Sequence, residues 1–164
     1  GESAGDSADA ESAGDSAAPA GETADAPVDE AKAKEEALKA LLDEVKNKRT
    51  KDKRADEALA EAEAAGAEIS ELAKAANYRG DKLMGTDQER ATKYYEWARE
   101  KDPKYAEPVF ALAKMAVVTG DTTTTIALLT EVKSRGGKKL IKQVGYDPLF
   151  EVVKDDPAVQ ALMR

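Results

Sequence analysis

The chain has 164 residues and a mass of 17.5 kDa, with 33 acidic and 25 basic side chains and a formal charge of −8. It contains neither Cys nor His, which excludes disulfide staples, thiolate nucleophiles, Ser-His-Asp triads and imidazole metal sites. No stretch reaches the roughly 18 consecutive apolar residues of a membrane-spanning helix.

The negative charge sits at one end. Residues 1–27 hold seven acidic side chains and no basic one, so residues 28–164 are left with 26 acidic against 25 basic, a net of −1. This leader has no Val, Leu, Ile, Met or aromatic residue, and Glu2–Ala8 is repeated as Glu11–Ala17. It cannot bury enough apolar surface to offset the ~1–2 kcal/mol per residue cost of ordering a backbone. A disordered acidic Gly/Ser/Ala linker over 1–27 is therefore expected. Spacers of this composition separate an anchored or exported N-terminus from a folded domain. A lipidated Cys ahead of Gly1 would make the protein a bacterial envelope lipoprotein. The periplasm or envelope is the expected compartment and the cytoplasm the alternative. Membrane contact is expected only through such an anchor.

Pro27-Val28-Asp29-Glu30 reads as a helix start, because acidic side chains in a first turn complement the helix dipole. Leu38, Leu41, Leu42 and Val45 follow at helical spacing. The stripe breaks at 46–54, which carries six basic residues and one acidic. A second stripe runs through Ala58, Ala62 and Ala65. The pattern predicts an antiparallel helix pair, about 30–48 and 54–66, within an Ala/Glu/Lys-rich unit 28–69. One unbroken helix from 29 to 77 is the alternative. All eight aromatic residues lie at or beyond Tyr78. Large apolar side chains dominate core energetics, so the packed core is expected between about 70 and 164, with the alanine-rich end less stable. Thr122–Thr125 follows Gly120-Asp121 and reads as a capped helix start. No sheet is expected. Gly80-Asp81 and Gly85-Thr86-Asp87 read as turns at helix ends.

Ala91, Tyr95, Ala98 and Pro103 fall at relative positions 0, 4, 7 and 12. Small Ala91 and Ala98 admit a neighbouring helix, Tyr95 fills the gap between them, and Pro103 ends the helix. This spacing resembles the second helix of a tetratricopeptide repeat, a helix-turn-helix unit of about 34 residues. At the same period, Val109, Leu112, Ala113 and Ala116 land on the next first helix. Gly120-Asp121 falls at the turn, and Thr125, Ile126, Leu128, Leu129 and Val132 on the next second helix. The departures are Arg79 where the family usually has Gly, Lys82 where it has an aromatic residue, and Thr125 where it has Ala. The resemblance covers about 70–136. Residues 30–69 share only the Ala58, Ala62, Ala65 spacing, at a period one residue longer. A generic helical bundle is the competing reading.

Residues 137–164 carry a second resemblance. Asp147-Pro148-Leu149-Phe150 and the run Val153 to Leu162 are similar to the segment that closes the last repeat in many bacterial tetratricopeptide proteins. A stack of helix pairs exposes an apolar end face that needs such a cap. Leu149, Phe150, Val153, Val159 and Leu162 are expected to supply it. Pro148 and Pro157 would start two short helices, with Asp155-Asp156 capping the second.

The expected fold class is thus all-α, a short helix-hairpin solenoid of tetratricopeptide type. What that resemblance implies is a non-catalytic scaffold, with a concave groove for a segment of a partner protein, as part of a multi-protein assembly. The implied groove positions are Glu107, Phe110, Lys114, Val117 and Val118. The Lys and Asn with which many co-chaperone members clamp a C-terminal carboxylate are absent, with Ala76 and Gly80 in one repeat and Phe110 and Lys114 in the other. From the residues themselves comes a second candidate surface. Lys46, Lys48, Arg49, Lys51, Lys53 and Arg54 would dock an anionic lipid or nucleic acid, although the acidic whole and the lack of interleaved aromatic residues disfavour nucleic acid. No nucleophile–base set, phosphate loop or calcium loop occurs. An enzyme, a cofactor and a metal are therefore not expected.

Overall fold

The computed structural model describes residues 26–164. Among them are eight α-helices and no strand. The expected linker lies outside the described residues except at its end, where Ala26 and Pro27 already belong to the first helix. That helix, α1 (Ala26–Lys46), is followed by α2 (Asp52–Ala64), α3 (Ile69–Leu83) and α4 (Gln88–Lys101). Next come α5 (Glu107–Val118), α6 (Thr122–Ser134), α7 (Lys138–Gln143), a 3-10 turn (Pro148–Phe150) and α8 (Pro157–Met163). The chain leaves helical geometry after Lys46, so α1 and α2 are two helices and not one.

Aspartates start the later helices. Asp87, Asp121 and Asp156 accept backbone N–H groups of Arg90, Thr124 and Ala158 at 3.0, 2.9 and 2.8 Å. Caps of this kind contribute about 1 kcal/mol each. Thr125 is fully buried, and its hydroxyl donates to the Asp121 carbonyl at 2.7 Å, which is how a hydroxyl fits where Ala is usual. Gly120 and Gly136 end α5 and α6 with φ of +79° and +85°, a backbone region that a Cβ disfavours.

The helices pack as pairs around two apolar cores that share α4. One core joins Leu42 and Val45 of α1, Ala58, Leu59 and Ala62 of α2, Leu72, Ala73 and Ala76 of α3, and Tyr94 and Ala98 of α4. The other joins Ala91 and Tyr95 of α4 to Val109, Phe110 and Ala113 of α5, Leu129 and Val132 of α6, and Ile141, Phe150, Val153 and Val159 of the C-terminal segment. The core therefore extends further towards the N-terminus than the aromatic positions suggest. Val45, Ala55, Ala58 and Ala62 are fully buried, because alanine stripes let helices approach until little space remains. Closeness replaces side-chain size there.

Two departures from sequence expectation have the same origin, the tight fit of α3. Gly80 is not a turn residue; it lies inside α3. A Cβ there would stand 2.6 Å from Cε1 of Tyr95, so the bare backbone is what admits the ring. Arg79, one residue earlier, is 2% exposed. Its guanidinium donates to the carbonyls of Asn47 and Thr50, both at 2.8 Å, and to Asp52 Oδ1 at 2.6 Å. It thus fastens the corner between α1 and α2, and Arg90 of α4 reaches the other oxygen of Asp52 at 3.2 Å. A glycine at 79 would leave those carbonyls without their donor.

Arg79→Met keeps the bulk and removes the donors. The three acceptors are part-buried, so water replaces part of each lost bond, and at about 1 kcal/mol per bond a loss of about 3 kcal/mol is expected in urea unfolding. Hydrogen exchange should show α1 losing protection before α5 and α6. Equal loss of protection in every helix would contradict this account.

Candidate functional site

A concave groove runs between α3, α5 and the C-terminal segment. Its cavity is about 310 Å³, lined by Asn77, Asp81 and Met84 of α3, Glu107, Phe110, Ala111 and Lys114 of α5, Leu140 of α7 and Leu149 of the 3-10 turn. Glu107, Phe110, Ala111 and Lys114 form one stripe of α5, as helical spacing requires. Three of the five implied groove positions, Glu107, Phe110 and Lys114, are therefore on this wall. Val117 lies a turn further along and faces the core. Val118 is exposed and outside the groove lining.

The three wall residues are not equally free. Phe110 is buried, and its ring stacks on Phe150 with centroids 5.5 Å apart and planes at 25°. Lys114 Nζ lies 3.1 Å from Asp147 Oδ2 and 4.9 Å from the centre of the Phe110 ring. The cap is thus joined to the α5 wall by an aromatic stack and an ion pair. Of the residues expected to form that lid, Phe150, Val153 and Val159 are buried and Leu162 is half-buried, while Leu149 stays partly exposed and joins the groove wall. Glu107 is exposed at the rim.

The opposite wall was not among the expected groove positions, and Asp81, read from sequence as part of a turn, lies within α3. Tyr95, seated against Gly80, donates its hydroxyl to Asp81 Oδ1 at 2.8 Å. Asn77 Nδ2 lies 3.4 Å from Asp81 Oδ2. Burial, then the Asp81 carboxylate, pushes the Tyr95 phenol far up, so it remains a donor. Asn77 is 8% exposed and its Oδ1 has no protein donor. No signal in the sequence marked Asn77, because its neighbours at helical spacing, Lys74 and Asp81, are polar as well.

A second cleft of about 310 Å³ lies between α2 and α4, lined by Asp56, Leu59, Glu63, Arg90, Tyr94 and Trp97 among others. Its polar groups are mutually engaged. Tyr94 donates to Asp56, Arg90 lies 3.1 Å from Asp56 Oδ2, and Lys101 pairs with Glu63. Lys101 also lies over Trp97, 5.2 Å from the ring centre. Burial first, and Asp56 next, push the Tyr94 phenol up to about 12.

The basic corner divides into two sets. Arg54 is held by Glu44 at 2.6 Å and Glu61 at 2.8 Å, Lys46 lies 3.8 Å from Asp43, and Lys53 lies 3.8 Å from Glu57. Lys48, Arg49 and Lys51 are exposed and form no ion pair among the described residues. Among those residues no cluster of three Asp, Glu, His or Cys is placed to hold a metal ion, and no helix is long and apolar enough to cross a membrane. Asp155-Asp156 belongs to the helix start, as Asp156 caps α8.

Comparison with protein-family models, with curated proteins and with solved structures finds no match.

Acid should loosen the cap. Burial of Asp147 works against its charge, but the Leu149 N–H and Lys114 outweigh it and hold the carboxyl below its ordinary 3.8. Glu131, likewise opposed by burial, is held below its ordinary 4.5 by Arg99 and Arg135. A carboxyl with a lowered folded pKa stabilises the fold fully above its unfolded value, and that stabilisation fades as pH falls through the folded value. Unfolding followed by urea titration should therefore show stability falling below about pH 4.5, the unfolded Glu value. Asp147→Asn should flatten part of that slope. An unchanged slope would separate the ion pair from cap stability.

Proposed function

We propose that this protein is a non-catalytic adaptor of the tetratricopeptide-repeat kind. Its α3–α5 groove holds a segment of a partner protein, within a larger assembly of the bacterial envelope. The observation that carries the reading is the groove itself. It has an apolar floor of Met84, Ala111 and Leu140, a polar wall of Asn77 and Asp81, and a Phe110 ring backed by Phe150. Such a combination of apolar floor and few polar groups suits a peptide segment, with burial supplying affinity and the polar wall fixing register. The Ala91–Tyr95–Ala98 packing and the capped end support the family assignment.

The exposed trio Lys48, Arg49 and Lys51 favours a second reading, contact with an anionic surface. The remaining cations of that corner are already paired with carboxylates, which lowers the charge left for such a surface.

Phe110→Ala is a poor probe, since truncating a buried Phe costs about 3–5 kcal/mol. A photo-crosslinking residue at Glu107 serves instead, with Lys53 and Lys93 as positions on other surfaces. Adducts from native cell extract at 107, absent at 53 and 93 and abolished by Ala111→Arg, are the expected result. Adducts only at 53, together with salt-sensitive sedimentation on vesicles of phosphatidylcholine and phosphatidylglycerol, would replace the groove by the basic corner.

A further inference from the structure

We infer that the groove selects a cationic side chain, a lysine or arginine carried by a segment of the partner protein. The inference rests on the groove reading and adds the chemistry of the occupant.

The orphaned acceptor of Asn77 points to a donor. Asn77 is more than nine-tenths buried, lines the groove, and has no protein donor for Oδ1. Its orientation is set by Asp81, because turning the amide over would place two oxygens side by side. Buried acceptors in folded proteins are almost always satisfied. The oxygen is itself shielded within the groove, so an occupant that brings an N–H group to this wall completes the pattern by drawing the Asn77 amide towards the opening, which a purely apolar occupant has no means to do.

The charges select among donors. Asp81 and Glu107 face the groove from α3 and α5. The lysine on the lining, Lys114, has its ammonium against Asp147 at 3.1 Å and the Phe110 ring at 4.9 Å. Lys74, one turn before Asn77 on α3, is held by Glu71 at 2.9 Å. These two lysines thus have partners, and the α7 lysines flanking Leu140 are not on the lining, while Asp81 is met only by neutral donors, the Tyr95 hydroxyl and the Asn77 amide. Glu107 makes no ion pair among the described residues. An anionic occupant would face both carboxylates and would have to part Lys114 from Asp147. A lysine or arginine lays its methylene stem along Met84 and Leu140 and offers its N–H groups to Asn77 Oδ1 and the carboxylates.

The test uses the full chain and fluorescein-labelled peptides of leucine and glycine around one central residue: Lys, Arg, acetyl-lysine or Glu. Anisotropy should show the Lys and Arg peptides binding about tenfold tighter than the acetyl-lysine and Glu peptides, a preference that shrinks with salt. Asn77→Ala should erase most of it. Glu107→Lys, at an exposed position, should reverse it without changing the circular dichroism spectrum. If all four peptides bind alike and Ala111→Arg abolishes binding, the groove reading stands and charge selection is overturned. Tighter binding of the Glu peptide also overturns it. Binding of none of the peptides, with no adduct at Glu107, overturns both.

Discussion

Where α3 and α4 meet, the Tyr95 ring lies against the backbone of Gly80, closer than any Cβ would allow. This contact sets the separation of the two helices that join the cores. On α4, Tyr94 and Tyr95 are successive residues that enter different cores. A shift of this helix would disturb both. The same tyrosine reaches past Gly80 to Asp81, and Asp81 in turn takes the Asn77 amide. A packing constraint in the interior thereby fixes a polar wall of the groove. The side chains that hold the fold and those that face the groove form one connected set.

Two arginines, Arg79 buried and Arg135 partly so, do for the loops what Tyr95 does for the helices. Arg79 gathers the carbonyls at the end of α1 and the carboxylate at the start of α2. Arg135, at the end of α6, donates to the carbonyls of Arg99, Asp102 and Tyr105 in the α4–α5 connection, and pairs with Glu131. A planar guanidinium with five donors suits this task, since it satisfies several helix-end carbonyls at once and its charge complements the negative end of the helix dipole. In both places a helix fastens a connection that precedes it: Arg79 the corner within the α1–α2 pair, Arg135 the link from the α3–α4 pair into its own.

At the other end, the cap gives the groove its polarity. Asp147 draws Lys114 away from the opening and Phe150 covers Phe110. The groove is left with two carboxylates and an unpaired amide oxygen. Without the cap, the same α5 stripe would present a lysine and an aromatic ring. The C-terminal segment therefore covers apolar surface of α5 and changes the charge that the groove presents.

Helix content and the cap prolines and aspartates were legible in the sequence, because each depends on residues within a turn or two of one another, whereas Val117 and Val118 fall outside the groove that the resemblance implied for them. Ala91, Tyr95 and Ala98 announced their burial by spacing alone. Arg79 read only as an odd residue at a small-residue position, since its partners Asn47, Thr50 and Asp52 lie far back along the chain. Gly80 looked like punctuation for the same reason, its necessity residing in a ring contributed by another helix. Asn77 and Asp81 could not be singled out as a groove wall from a stretch of alanines and charges. Which residues share a wall is a matter of how helices cross. Sequence fixes the periodicity of each helix, whereas the rotation of one helix against the next is decided only when alanine stripes, Gly80 and the two arginines have packed.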